Sequence, residues 1–201
     1  MNIDLSPTRE KYYSQLNNEL DPYIACQVTS MVMGLDIAGF GLEPINDLKC
    51  SQFKQPEDKL KWFMLNDPDV QAFWKRNYPD TTIPAPQWAG CMVFAINKLY
   101  WKSIIYFESS LRYSTVISDL KSGLPTYISM EYPENRNFSG NFAPIPGHIV
   151  LAVGVDHEGN ILINDPYKNH LTGERDGFKN VYSLDKFIKH SNGHGIRYQK
   201  V

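Results

Sequence analysis

The chain has 201 residues, 42% of them apolar and 21% charged, with a formal net charge of -2; this is the make-up of an ordinary globular protein, expected to form one domain with a core that needs no staples. Lys and Arg are scattered along it, so neither a nucleic acid nor a membrane is an expected partner. Three widely spaced cysteines, Cys26, Cys50 and Cys91, exclude a disulfide framework and a C-x-x-C motif, and no apolar run reaches the length of a membrane span.

Residues 1–25 read as an irregular lead-in that closes with the turn-like "LDPYI". The opening "MNIDLSPTREKYYSQ" lacks a basic start followed by an apolar core, so no signal peptide is expected and synthesis is expected in a cytoplasm. From 26 to about 39, Val28, Met31, Val32, Leu35 and Ala38 recur at helical spacing, and Gly39 and Gly41 end the helix. "QPEDKLKWFMLN" (55–66) and "DPDVQAFWKRN" (67–77) each open with Pro and acids ahead of an apolar face, which predicts two more helices. "TTIPAPQW" is a loop because its prolines prevent regular structure, and a helix is expected again over 87–101.

The second half changes character. "STVISDLKSG" (114–123) predicts a short helix stopped by Gly123, and "LPTYISMEY" (124–132) a strand rich in β-branched and aromatic residues. "PENRNFSGNFAPIPG" (133–147) is a polar loop expected to border the site and to serve as a lid. "HIVLAVGVD" (148–156) and "NILINDP" (160–166) are strands joined by a hairpin turn at "HEG", and "GIRYQKV" (195–201) is a closing strand. Helices in the first half and strands in the second predict an α+β protein, not an alternating α/β one. One domain is expected over 1–201, with a helical lobe over about 1–113 and a β lobe over about 114–201.

Cys26 stands at the start of a helix. There the positive end of the backbone dipole can lower a thiol's pKa, and the small Ala25 leaves room for a substrate. A packed structural thiol is the competing reading, and it is the better one for Cys50 and Cys91. His148 opens a strand, where the backbone can hold its ring toward a site. Asp165, in "INDPY", ends the next strand. In an antiparallel hairpin about "HEG" the two come side by side within one residue of register, so the carboxylate can orient the imidazole. Asn164 should point to the other face. His157 and His170 read as loop residues. His190 and His194 do not make a metal site, since Gly193 breaks any shared face and no carboxylate is adjacent. Thiol, imidazole and acid form a nucleophile, base and orienter for acyl transfer. Oxyanion donors are then needed. The backbone N–H of Cys26 is one candidate, and Gln15, Asn17 or Asn18 in "YYSQLNNE" could supply the second.

Taken in order, "YYSQLNN", "ACQVTSMVMGL", "LKSGLPTYISM" and "GHIVLAVGVDHEGNILINDPY" resemble the papain-like cysteine peptidases related to the bacteriocin-leader (double-glycine) peptidases, of the stand-alone type found in bacteria and their phages. "GFKNVYSLDKF" resembles the end of the phage-type members. The resemblance implies a papain-like fold in which the nucleophile helix packs on an antiparallel β lobe. It also implies Cys26 as nucleophile, His148 as general base, Asp165 as orienting acid and Gln15 as the oxyanion glutamine. No cofactor is implied. The implied substrate is a peptide, with the peptides of bacterial peptidoglycan suggested by the phage-type likeness and action on a host cell wall as the setting. Two positions depart from the family pattern: Gln27-Val28 follow the cysteine where Gly-Pro or Asn-Val is usual, and Lys168 follows "DPY" where Gly is usual. A transglutaminase- or amidase-like acyl transferase with the same triad, and a non-catalytic papain-fold binding or structural protein, stand as alternatives.

Overall fold

The helix that carries Cys26, α1 (Cys26–Ile37), is buried continuously from Gln27 to Leu35. A helix buried all round needs no single apolar stripe, so polar residues inside it need partners. Ser30 donates to the carbonyl of Ile149 at 3.3 Å, and Thr29 accepts from the Asn18 amide at 3.2 Å. Gly39 and Gly41, both at positive φ, turn the chain away from the helix end as expected. The computed structural model describes residues 2–131, 147–167 and 177–200.

Around α1 stand α2 (Glu43–Asn46), α3 (Pro56–Asn66), α4 (Pro68–Asn77) and α5 (Ala89–Leu99). Proline at the first position starts both α3 and α4, where its missing N–H is no loss. The Asp67 side chain caps α4 by accepting from the amides of Asp69 and Val70, each at 3.1 Å.

The sheet contains β1 (Ile3–Asp4), β2 (Ile105–Glu108), β3 (Thr126–Met130), β4 (His148–Val155), β5 (Ile161–Asn164), β6 (Asn180–Tyr182) and β7 (Ser191–Tyr198). Its order is β2-β7-β3-β4-β5-β6, all antiparallel, and β1 adds to β4. α6 (Tyr113–Lys121) and α7 (Leu184–His190) complete the described helices. The protein is therefore α+β, with α1 against β4 on one face of the sheet.

That arrangement explains why "HIVLAVGV" is an unbroken apolar run. Ile149, Leu151 and Val153 join the core built by α1, α3 and α5, while Val150 and Ala152 join a second core with Val116 and Leu120 of α6 and Phe187 of α7. A strand covered on both faces does not alternate. The β4–β5 register shifts between Ala152 and Gly154, and beyond that bulge Val155 packs in the second core beside Ala152.

The helices and strands expected at 26–39, 55–66, 67–77, 87–101, 114–123, 124–132, 148–156 and 160–166 are present within a few residues. Reading the sequence missed β1, α2, β2, β6 and α7, and the closing strand begins at Ser191, not at 195. The extra residues of β7 are recruited by the end of β3, where Met130 pairs with Ser191. Apart from Gly147, the expected lid loop lies outside the described residues, as do Lys168 and His170. No helix among the described residues is long and apolar enough to cross a membrane.

Candidate active site

Cys26 is the first residue of α1 and is half-buried, whereas Cys50 and Cys91 are buried; none of the three is in a disulfide. Ala25 stands at the N-cap and has no side chain to cap with, so the first-turn amides are not consumed by a neighbouring hydroxyl or carboxylate. Burial raises the thiol pKa of Cys50 and pushes that of Cys91 up to about 11. Both are placed as packing residues.

His148 begins β4, and its side chain is 12% exposed. Its Nε2 lies 2.7 Å from Oδ1 of Asp165. Cys26 is near enough to act on the electrostatics of the same ring. Burial is the largest single influence on this imidazole and pulls its pKa down. The Asp165 charge, the Asp165 hydrogen bond and the Cys26 thiolate together outweigh burial and push it up to about 10. A histidine so placed stays protonated through the neutral range.

The pairing of His148 with Asp165 differs in detail from the expected register. Leu151 pairs with Asn164 and Ala152 with Ile163, so one step further Asp165 stands across from Val150. His148 is its diagonal neighbour, two residues along on the same side, and no slip is required. Asn164 points the other way, as expected: its amide donates to the Met33 sulfur and its oxygen accepts from the Lys179 amide.

Asp165 is 1% exposed and is held from three directions. Its Oδ1 also accepts from the Tyr167 amide at 2.9 Å, its own amide donates to the Gly177 carbonyl at 2.8 Å, and its carbonyl accepts from the Tyr12 hydroxyl at 2.7 Å. Gly177 is there for lack of space: a Cβ would overlap the Asp165 carbonyl and stand 2.5 Å from the Tyr12 hydroxyl. Neither Tyr12 nor Gly177 carries a signal in the sequence, because their roles exist only once residues 12, 165 and 177 meet.

Gln15 is 1% exposed. Its backbone amide donates to the Pro166 carbonyl at 2.9 Å, and its Nε2 donates to the Pro22 carbonyl at 2.6 Å, just ahead of α1. One of its two amide hydrogens is thereby committed. Of the other amides considered, Asn17 is exposed, and Asn18 is buried with one amide hydrogen given to Thr29 inside α1.

Gln27 points away from the thiol. It donates to the Gln87 carbonyl at 2.5 Å, and the Gln87 amide donates back to the Ile24 carbonyl at 2.8 Å. The unusual residue after the cysteine thus ties the helix start to the turn Ala85–Gln87. A further polar group lies under α1. The Tyr127 hydroxyl is buried and has no hydrogen-bond partner among the described residues. Burial, then the charge of Cys26 and Tyr198, hold its pKa well above the usual phenol range.

Of the remaining histidines, His157 is an exposed turn residue, His190 is buried with Nδ1 3.1 Å from the Glu131 carbonyl, and His194 is exposed beside the Phe107 ring. A thiol at a helix start, an imidazole near enough to feel its charge and a carboxylate bonded to that imidazole are the groups that nucleophilic attack on a carbonyl would use.

The model of the family described as "Peptidase_C39 like family" matches residues 9–190. A crystal structure described as that of a C39-like peptidase from Bacillus anthracis shares the fold with a TM-score of 0.55 and 17% identity, over 100% of this chain and 98% of that one. No curated protein matches the chain.

Proposed function

The chain belongs to the Peptidase_C39 like family, and from that premise we propose that it is a cysteine peptidase acting through Cys26, His148 and Asp165. In this reading the Cys26 thiolate attacks the carbonyl carbon of a peptide bond. Negative charge then develops on the carbonyl oxygen, where the backbone N–H at the start of α1 and the remaining amide hydrogen of Gln15 are the proposed donors. As the C–N bond breaks, Nδ1–H of His148 passes its proton to the departing amine and the acyl group stays on sulfur as a thioester. Water then attacks the thioester, giving its proton to His148, and the carboxylic acid leaves as the thiolate re-forms. Asp165 holds Nε2 and keeps the ring turned with Nδ1 toward sulfur.

One observation carries this reading: the 2.7 Å contact between His148 Nε2 and Asp165, on an imidazole whose electrostatic neighbours include the half-buried thiol at a helix start. The resemblance extends the proposal to peptides of the bacterial cell wall as substrate, for a protein of bacterial or phage origin. Activity on purified peptidoglycan, set against a peptide library, tests both levels. Cys26→Ala is expected to remove all turnover while leaving circular dichroism unchanged. Undiminished turnover by Cys26→Ala or His148→Ala overturns the mechanism, and cleavage of library peptides without release from peptidoglycan overturns the cell-wall substrate alone.

A further inference from the structure

Helix α3 buries charged side chains against the segment that leads into α1. Asp58 is 0% exposed, and its two oxygens accept the backbone amides of Glu19 at 2.8 Å and Leu20 at 2.9 Å. One turn on, Lys61 is 3% exposed and donates to the Leu20 carbonyl and to Oδ2 of Asp21, each at 3.0 Å. The i, i+3 spacing places both on one side of the helix. Burying ions is unfavourable, and apolar side chains of similar size often pack a helix more stably. Apolar packing cannot, however, fix the rotation of consecutive peptide groups, which is what these hydrogen bonds do to residues 19–21. Asp21 is held at φ 47°, ψ 67°, in the left-handed region, a conformation that costs a non-glycine residue about 1 kcal/mol.

The fixed segment has an address. Pro22 follows Asp21, and its carbonyl is the acceptor of the Gln15 amide at 2.6 Å. The peptide rotations set at 19–21 thus decide where the Pro22 carbonyl stands, and that carbonyl decides where the Gln15 amide stands.

We propose that Asp58 and Lys61 are positioning residues that hold the Gln15 amide and the entrance of α1 in place for the reaction at Cys26. The proposal rests on the peptidase reading above, in which the Gln15 amide faces the developing oxyanion. Asp58→Asn keeps the side-chain shape but offers one acceptor where two amides need one each. The expected result is a fall in kcat of about 10- to 100-fold per alkylatable thiol with KM within about 3-fold, the pattern of a donor displaced by an ångström or less. Affinity for the aldehyde N-acetyl-glycyl-glycinal, whose adduct oxygen occupies the oxyanion position, is expected to fall in parallel. Alkylation of Cys26 by iodoacetamide develops no oxyanion and is expected to keep its rate and pH profile. A purely structural residue would lower the melting temperature and leave the aldehyde-to-alkylation ratio unmoved, and that outcome overturns the proposal. Lys61→Met, which removes both donations to Leu20 and Asp21, carries the same test if Asp58→Asn does not fold; wild-type aldehyde affinity in a folded Lys61→Met protein also overturns it. Wild-type Cys26 that alkylates no faster than Cys50 and Cys91 overturns the peptidase reading itself, a separate result.

Discussion

Gly177→Ala is the most economical test of how the acid is held. The added methyl would overlap the Asp165 carbonyl and sit 2.5 Å from the Tyr12 hydroxyl. Ordinary contact for a methyl carbon begins near about 3.5 Å, so Asp165, Tyr12 or the 177 backbone must retreat by more than about 1 Å. The Asp165 amide is itself bonded to the Gly177 carbonyl at 2.8 Å, so the two backbones cannot separate without losing that bond. Any shift of the acid is felt at the 2.7 Å contact with His148, which an ångström of displacement removes as a hydrogen bond. The expected loss is about 100-fold in kcat/KM, with about 1–3 kcal/mol of stability. Iodoacetamide alkylation of Cys26 as a function of pH reads the effect directly: the thiolate should persist to a less acidic limit than in wild type, because a displaced acid no longer supports the imidazolium. Gly159→Ala is the control: Gly159 sits at positive φ, so the substitution strains the backbone, yet nothing lies within 4 Å of the added methyl. Wild-type alkylation and turnover in Gly177→Ala would refute the claim that this close approach places the acid.

Three further outcomes are expected. His148 has its pKa pushed up to about 10, so its contribution to stability is complete below the ordinary histidine value near 6.5 and is lost as pH rises through about 10; urea unfolding of wild type should weaken across that window, and His148→Gln should flatten the decline. Glu57 is 2% exposed, and burial first, then neighbouring Asp58, raise its carboxyl to about 7 against the lowering effect of a backbone hydrogen bond. The unfolded chain therefore ionises first, stability should fall between about pH 4.5 and 7, and Glu57→Gln should raise the urea midpoint at pH 8; an unchanged midpoint would remove Glu57 as a source of strain. Tyr127→Phe deletes a buried hydroxyl that has no partner among the described residues, and calorimetry should show a protein as stable as wild type or more so, by about 1 kcal/mol.

Long elements were legible in the sequence because their own patterns specify them. Proline and acids start α3 and α4, and the apolar run of β4 reports burial on both faces. Short elements were not, because their partners specify them. "ID", "IYFE" and "NVY" become β1, β2 and β6 through pairing with β4, β7 and β5, and nothing within two to four residues announces a distant partner. α7 has seven residues and buries Phe187 and His190, too little for a periodic signal. At the site, the types and order of Cys26, His148 and Asp165 could be read from local context, since each stands at the end of a recognisable element. The diagonal relation of His148 to Asp165 could not, because it follows from the register of β4 on β5. Asp58 was visible only as an acid in a helix start; its burial against the amides of Glu19 and Leu20 depends on contacts 39 and 38 residues away in sequence.

The sheet order also bears on when the fold around Cys26 is completed. β7, the last strand among the described residues, lies inside the sheet between β2 and β3, and the Tyr12–Asp165 hydrogen bond joins residues 153 apart. Contacts of such span form late, because the ends of a long loop must first be brought together. A ribosome adds roughly 5–20 residues per second, so the Cys26 side chain exists for about ten seconds or more before β7 has been made. Through that interval the growing chain holds α1, and later β3 and β4, beside a sheet that lacks its inner strand β7. Strand order thus acts as a delay, tying completion of the sheet to the docking of β7.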